Sequence, residues 1–252
     1  MIEEAFGHRI SQETLKEVLP DYQSLNQQLL DFNGTNIRNA NFILNIILND
    51  QEKLCLEKAF FGDTGWYHKI NYNGMLDLKL AAMSLGITNK VFTFDKDKEN
   101  RILNFVEKKS IDDQLLMIRC YIKQKVVTYK TLRNYLQNVQ KTDKMAITLY
   151  RGINIPYENQ KYLFTGLESW TTDIKIAYKF ARNEGFVLQR DYPISQIFAG
   201  KRSTFKNLPN RSCQYSGFYV RREKEMIVEN FENEWDLNIE KDIKLAIEKE
   251  IC

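Results

Sequence analysis

Apolar positions recur at helical spacing through the first 144 residues of the chain and then shorten into strand-like runs. Ser11-Gln12-Glu13-Thr14 offers an N-cap, Leu15, Val18 and Leu19 continue at helical spacing, and Pro20 stops the turn. From Asn41 to Phe61 the residues Phe42, Ile43, Ile46, Ile47, Leu54 and Ala59 predict one long helical run, broken by Gly62-Asp63-Thr64-Gly65. Met75 to Leu85, closed by Gly86, predicts another helix, and Asp97 to Lys109 a charged amphipathic one. Ile111 to Lys123, capped by Asp112 or Asp113, and Tyr129 to Val139 complete the set. The aliphatic and aromatic positions of this half read as a bundle core. Its functional reading is recognition of a target or partner.

After Lys144 the period changes. Ala146 to Tyr150, Phe164 to Thr171, Gly185 to Gln189, Gln196 to Phe198, Phe218 to Val220 and Met226 to Glu229 predict strands, punctuated by glycines. Between them Ile174 to Ala181 reads as a helix, and Ile239 to Ile251 predicts a closing one. The class is therefore α+β, an all-helical domain over 1–144 followed by a sheet-rich domain over 145–252. There is no internal repeat, low-complexity tract or Gly/Ser/Pro linker.

Composition changes the picture mainly by exclusion. At 252 residues with 43% hydrophobic content the chain can bury a substantial core. Four scattered cysteines, Cys55, Cys120, Cys213 and Cys252, show no metal or disulfide framework spacing and suit a reducing compartment. With His8 and His68 as the two imidazoles, a multi-histidine metal site cannot be built, so no metal is expected. No stretch approaches the ~20 apolar residues of a membrane span, and no secretory leader is readable at Met1-Ile2-Glu3-Glu4-Ala5. A cytoplasmic protein without a membrane partner is the expectation.

The net charge of +3 is mild, but its distribution is not even. No acid lies between Asp191 and Glu223, where Lys201, Arg202, Lys206, Arg211, Arg221 and Arg222 are interleaved with Phe205, Tyr215, Phe218 and Tyr219. Bases alternating with aromatics suit phosphates and stacked nucleobases. The tail beyond Phe231 is acidic. It is either a solvated face or a handle for an inhibitory partner protein.

Three short motifs carry the chemistry. Leu149-Tyr150-Arg151-Gly152 ends an apolar strand on an arginine; Glu168-Ser169-Trp170-Thr171 leads into the helix at Ile174; Glu223-Lys224-Glu225 enters the strand Met226-Ile227-Val228. Two carboxylates at i and i+2 of a strand lie on one face. In order, Arg then Ser-x-Thr then Glu-x-Glu resembles the mono-ADP-ribosyltransferases of the Arg-Ser-Glu clade, relatives of the cholera-type and clostridial toxins. The resemblance runs from Ile147 to about Glu229. In place of the Ser-Thr-Ser common in that family the chain has Ser-Trp-Thr, with the leading serine kept.

The resemblance implies a two-sheet, split β-sandwich catalytic domain and NAD as substrate, cleaved between nicotinamide and ribose. It implies Glu225 as the carboxylate that stabilises the ribosyl cation, with Ser169 orienting it. Arg151 binds the pyrophosphate or the nicotinamide ribose in this reading. Tyr150, Gly152 and Thr171 complete the cofactor side, Gly152 by admitting close backbone approach. Glu223 is the position that selects the acceptor, a glutamate there resembling arginine-modifying enzymes. Arg211, Tyr215, Phe218, Arg221 and Arg222 fall where the family places its target-recognition loop, and their composition favours nucleic acid over a cationic arginine. An intracellular toxin or phage-associated effector is the expected role. An NAD glycohydrolase and a non-catalytic NAD-binding or interaction module are the alternatives.

Overall fold

The computed structural model describes residues 1–61, 81–87, 109–154, 161–163, 167–182, 185–200, 225–229 and 234–236. Its described elements fall into a helical run and then a strand-rich one. Helices α1 (Ile2–Ala5), α2 (Gln12–Val18), α3 (Tyr22–Asp31), α4 (Ile37–Ile47), α5 (Asp50–Phe61) and α6 (Ile111–Asn138) come first. Strands β1 (Ala146–Ile153), β2 (Lys161–Leu163), β3 (Leu167–Thr171), β4 (Phe186–Pro193), β5 (Ile197–Gly200), β6 (Glu225–Glu229) and β7 (Glu234–Asp236) follow, with helix α7 (Ile174–Ala181) between β3 and β4. The α+β class is thus observed.

Helix α6 is the axis of the molecule. Ser110 is its N-cap, accepting from the Asp113 amide at 3.1 Å, so the cap lies two or three positions before the expected Asp112 or Asp113. Those two acids fill the first turn, where the helix dipole favours them. The helix runs unbroken to Asn138, joining two segments that the sequence pattern separates. The junction carries Lys123, Gln124, Lys125 and Thr128, all buried, which hide the apolar period. Thr128 and Thr131 satisfy their hydroxyls locally, donating to the carbonyls of Gln124 at 3.0 Å and Val127 at 2.8 Å. A helix buried all round needs no polar face.

Around α6 pack α1 to α5 on one side and β5 on the other, where the Tyr121 ring stacks on Phe198 at 4.4 Å between centroids. The Asn41 to Phe61 run is two helices rather than one. Asn49 and Glu52 form a reciprocal capping box, each side chain accepting the other's amide at 2.9 Å, which starts α5 afresh after α4. Lys123 ties the group together, its Nζ reaching Ile47 O, Glu52 and Asp21. Helix α3, with Tyr22, Leu25 and Leu29 buried, was not expected from the pattern.

The main sheet has the order β4-β1-β3-β6-β5, every neighbour antiparallel, and β2 pairs with β7 in a second small sheet. Strands β1 and β4 extend beyond their expected ends because they pair along their whole length, Ala146 opposite Pro193 through Ile153 opposite Phe186. One buried apolar cluster runs from Ile2 and Phe6 through α6 to Leu149, Trp170, Ile197 and Val228, so the helical and sheet-rich parts share a core. Of the remaining expected elements, residues 75–80 and 97–108, Phe218 to Val220 and the closing helix Ile239 to Ile251 lie outside the described residues. No helix among the described residues is long and apolar enough to cross a membrane.

Candidate functional site

The three motif-bearing strands lie side by side. β1 with Arg151, β3 with Ser169 and Thr171, and β6 with Glu225 at its first position are consecutive in the sheet. Tyr150 stands opposite Thr171 across β1 and β3, and Thr171 stands opposite Glu225 across β3 and β6. Positions 75 residues apart in the chain therefore meet on one transverse row. The side chain of Glu225 lies outside what is described, as do Glu223 and the basic-aromatic residues Arg211, Tyr215, Phe218, Arg221 and Arg222.

The pairing along that row is unequal. β3 and β6 pair from Leu167 opposite Glu229 to Thr171 opposite Glu225, whereas β1 and β3 meet at the single register Tyr150 opposite Thr171. Beyond it the sheet opens. Arg151 spans the opening, its Nη1 donating to the Ser169 carbonyl at 2.7 Å and lying 3.4 Å from the Glu168 carboxylate. A side-chain cation thus takes a carbonyl that a ladder amide would otherwise serve.

A cleft of about 150 Å³ occupies the opening. Tyr150, Arg151, Gly152 and Asn154 line it from β1 and its end, Ser169, Trp170 and Thr171 from β3, and Ile176, Ala177 and Phe180 from α7. Helix α7 is placed by its Asp173 N-cap, which accepts from Lys175 N at 3.0 Å, and by Ala177 and Ala181 pressed on the sheet. Gly152 has a packing reason of its own. A Cβ built there would lie 1.9 Å from the Ala177 carbonyl, so the missing side chain makes room for α7 as well as bordering the cleft. Phe180, among the lining residues, is 44% exposed.

No protein-family model matches the chain, and comparison with curated proteins and with solved structures likewise returns no match. The chemistry of the cleft is therefore read from its own residues. It offers one guanidinium, two small hydroxyl side chains and aromatic surfaces, and the buried Glu168 carboxylate stands 3.4 Å from the guanidinium without lining the cleft itself. Trp170 packs edge-on against Tyr192 at 4.9 Å, and burial pushes the Tyr192 phenol well above its ordinary range, so that ring stays neutral in the core behind Trp170. Among the described residues no cluster of His, Cys, Asp and Glu is arranged to hold a metal ion.

Sequence reasoning passed over Glu168, Asn154 and the α7 residues Ile176, Ala177 and Phe180. Glu168 carried a legible signal, a charged residue two positions from Trp170 in a strand whose alternation puts both on one face. The α7 contribution had none in the motif itself. It follows from the close approach of helix to strand at Gly152.

Proposed function

We propose that the protein is an NAD-dependent mono-ADP-ribosyltransferase whose substrate cleft is the opening between β1 and β3. The observation that carries this reading is the union of three separate motifs on adjacent strands at a place where the sheet parts and an arginine spans the gap. The two sheets are read as the halves of a split β-sandwich, and residues 145–252 as the catalytic unit. The residues present fit the substrate. Arg151 offers a donor fork for phosphate or ribose, and Phe180 and Tyr150 offer ring faces for a planar heterocycle. At about 150 Å³ the cleft is smaller than the ~300–1,000 Å³ typical of whole ligands, so it takes one end of the dinucleotide.

In this mechanism the bond between the ribose C1′ and the nicotinamide nitrogen breaks, and nicotinamide leaves neutral with the electron pair. Positive charge grows on the ribose as in glycoside cleavage, and the Glu225 carboxylate stabilises it. Ser169 orients that carboxylate. The acceptor nucleophile then bonds to C1′, and its proton passes to Glu223. Arginine of a protein is the leading acceptor and nucleic acid the second, the latter favoured by the acid-free basic-aromatic run from Lys201 to Arg222.

The test is label transfer. Wild type and Glu225→Gln are incubated with adenylate-labelled NAD and a whole-cell lysate, then divided between protease and nuclease. Label that wild type transfers, that the variant does not, and that protease alone removes, supports protein as acceptor. Removal by nuclease alone makes nucleic acid the substrate. Free ADP-ribose with no labelled macromolecule assigns hydrolysis instead, and intact NAD throughout contradicts the reading.

A further inference from the structure

We propose that Glu168 determines specificity in this cleft, its buried carboxylate beside Arg151 favouring oxidised NAD over ligands that keep the pyrophosphate but lack the cationic ring. The proposal rests on the NAD reading above. Glu168 is 2% exposed at the second position of β3. Its carboxylate lies 3.4 Å from Arg151 Nη1, while the arginine side chain retains 23% of its exposure and lines the cleft. Strand alternation sets Glu168 and Trp170 on the face opposite Ser169 and Thr171, so Glu168 does not share the orienting role assigned to Ser169.

The consequence is electrostatic. A lone arginine would give the cleft a full positive charge and attract any polyphosphate. Here a carboxylate offsets part of that charge at close range, and because it is buried, solvent and salt screen it little. The guanidinium can still donate to phosphate, but the net attraction for anions is reduced. A ligand recovers it by bringing its own positive charge. Oxidised NAD does so, since its nicotinamide ring is a cation; reduced NAD has a neutral ring and ADP-ribose has none. The same negative charge favours the ribosyl cation that forms as nicotinamide departs, and it disfavours retention of the ADP-ribose product of a hydrolytic turnover.

The experiment is calorimetric titration of NAD, NADH and ADP-ribose into wild type, Glu168→Gln and Glu168→Asp at low salt, under conditions too brief for turnover and with each variant's melting curve recorded. Glutamine keeps the size of the side chain and an acceptor oxygen for Arg151; aspartate keeps the charge. Wild type is expected to bind NAD about tenfold more tightly than either comparison ligand, from one unit charge at an effective dielectric near 20 discounted for the half-open site. Glu168→Gln is expected to bind ADP-ribose several-fold more tightly than wild type and to lose most of the preference, while Glu168→Asp retains it. The wild-type comparison stands without any variant. Equal binding of the three ligands by wild type, an unchanged preference in Glu168→Gln, or loss of preference in Glu168→Asp overturns the proposal alone. Failure of wild type to bind any of the three overturns the NAD reading on which it rests.

Discussion

Glu168 and Glu229 are both glutamates buried in the main sheet, on neighbouring strands, yet their surroundings differ in kind. Glu229 ends β6 with 0% exposure, accepts from the Tyr121 hydroxyl and from Lys125 Nζ at 2.6 Å, and lies 3.6 Å from Arg9. Lys125 also donates to Ser195 O at 2.8 Å, so the N-terminal segment, α6, the turn before β5 and β6 are locked at one point. Burial pushes the Tyr121 phenol well up and Lys125 down to about 8, the latter against the pull of Glu229. Glu168 instead faces an arginine that borders open space. The first arrangement closes a core, whereas the second sets a buried carboxylate against an arginine that lines a cleft. Burial of a carboxylate alone does not separate scaffold from site; the exposure of its partner does.

The largest effect is expected at the scaffold pair. Lys125→Met leaves Glu229 buried without its closest cation and is expected to cost about 3–5 kcal/mol in denaturant unfolding, because a stranded buried charge is far less tolerable than a lost pair. A double replacement, Lys125→Met with Glu229→Leu, is expected to recover most of that loss. Glu168→Gln, whose arginine partner can turn to water, is expected to lose only about 1 kcal/mol. Equal losses from Lys125→Met and Glu168→Gln would erase the distinction drawn here.

Next comes Gly152→Ala. The added methyl would meet the Ala177 carbonyl, so α7 must move off β1, with an expected loss of about 1–3 kcal/mol and weaker NAD binding together. A variant as stable as wild type would show that α7 is not seated on that strand as described.

The least direct effect is a pH dependence. The folded-state pKa of Lys125 is depressed to about 8 against about 10.4 in the unfolded chain, so the unfolded chain binds more protons between those values. The Lys125 contribution to stability is therefore present above the unfolded value and lost as pH falls through about 8. Tyr121 has the opposite sign, its raised pKa giving a contribution present below about 10 and lost at higher pH. The melting temperature of wild type is expected to rise between pH 8 and about 10, a rise that Lys125→Met lacks. No difference between the two curves would mean that this lysine titrates as it does in water.

How far the sequence reached follows the same division. Helix α7 and the change from helix to strand after Lys144 were legible because period and caps agree there, as at Asp173. The central helix was not legible as one element, since Lys123, Gln124, Lys125 and Thr128 are polar residues whose partners come from other elements or from the adjacent turn. The break between α4 and α5 depends on a side-chain exchange between Asn49 and Glu52 that lies inside a continuous apolar run. In the candidate site, the order of Arg151, Ser169 and Glu225 was visible as motifs. That Tyr150, Thr171 and Glu225 form one row could come only from strand order and register, and the opening beside it only from the shortened β1–β3 ladder.

The most direct test of the central claim is the release of free nicotinamide from NAD, followed by chromatography with wild type, Glu225→Gln and Arg151→Ala side by side. Release by wild type is expected to fall by about 100-fold or more in Glu225→Gln, as loss of a transition-state charge partner does elsewhere, and Arg151→Ala is expected to act chiefly by raising the NAD concentration needed. Release at the same rate by all three, or by none, would contradict it.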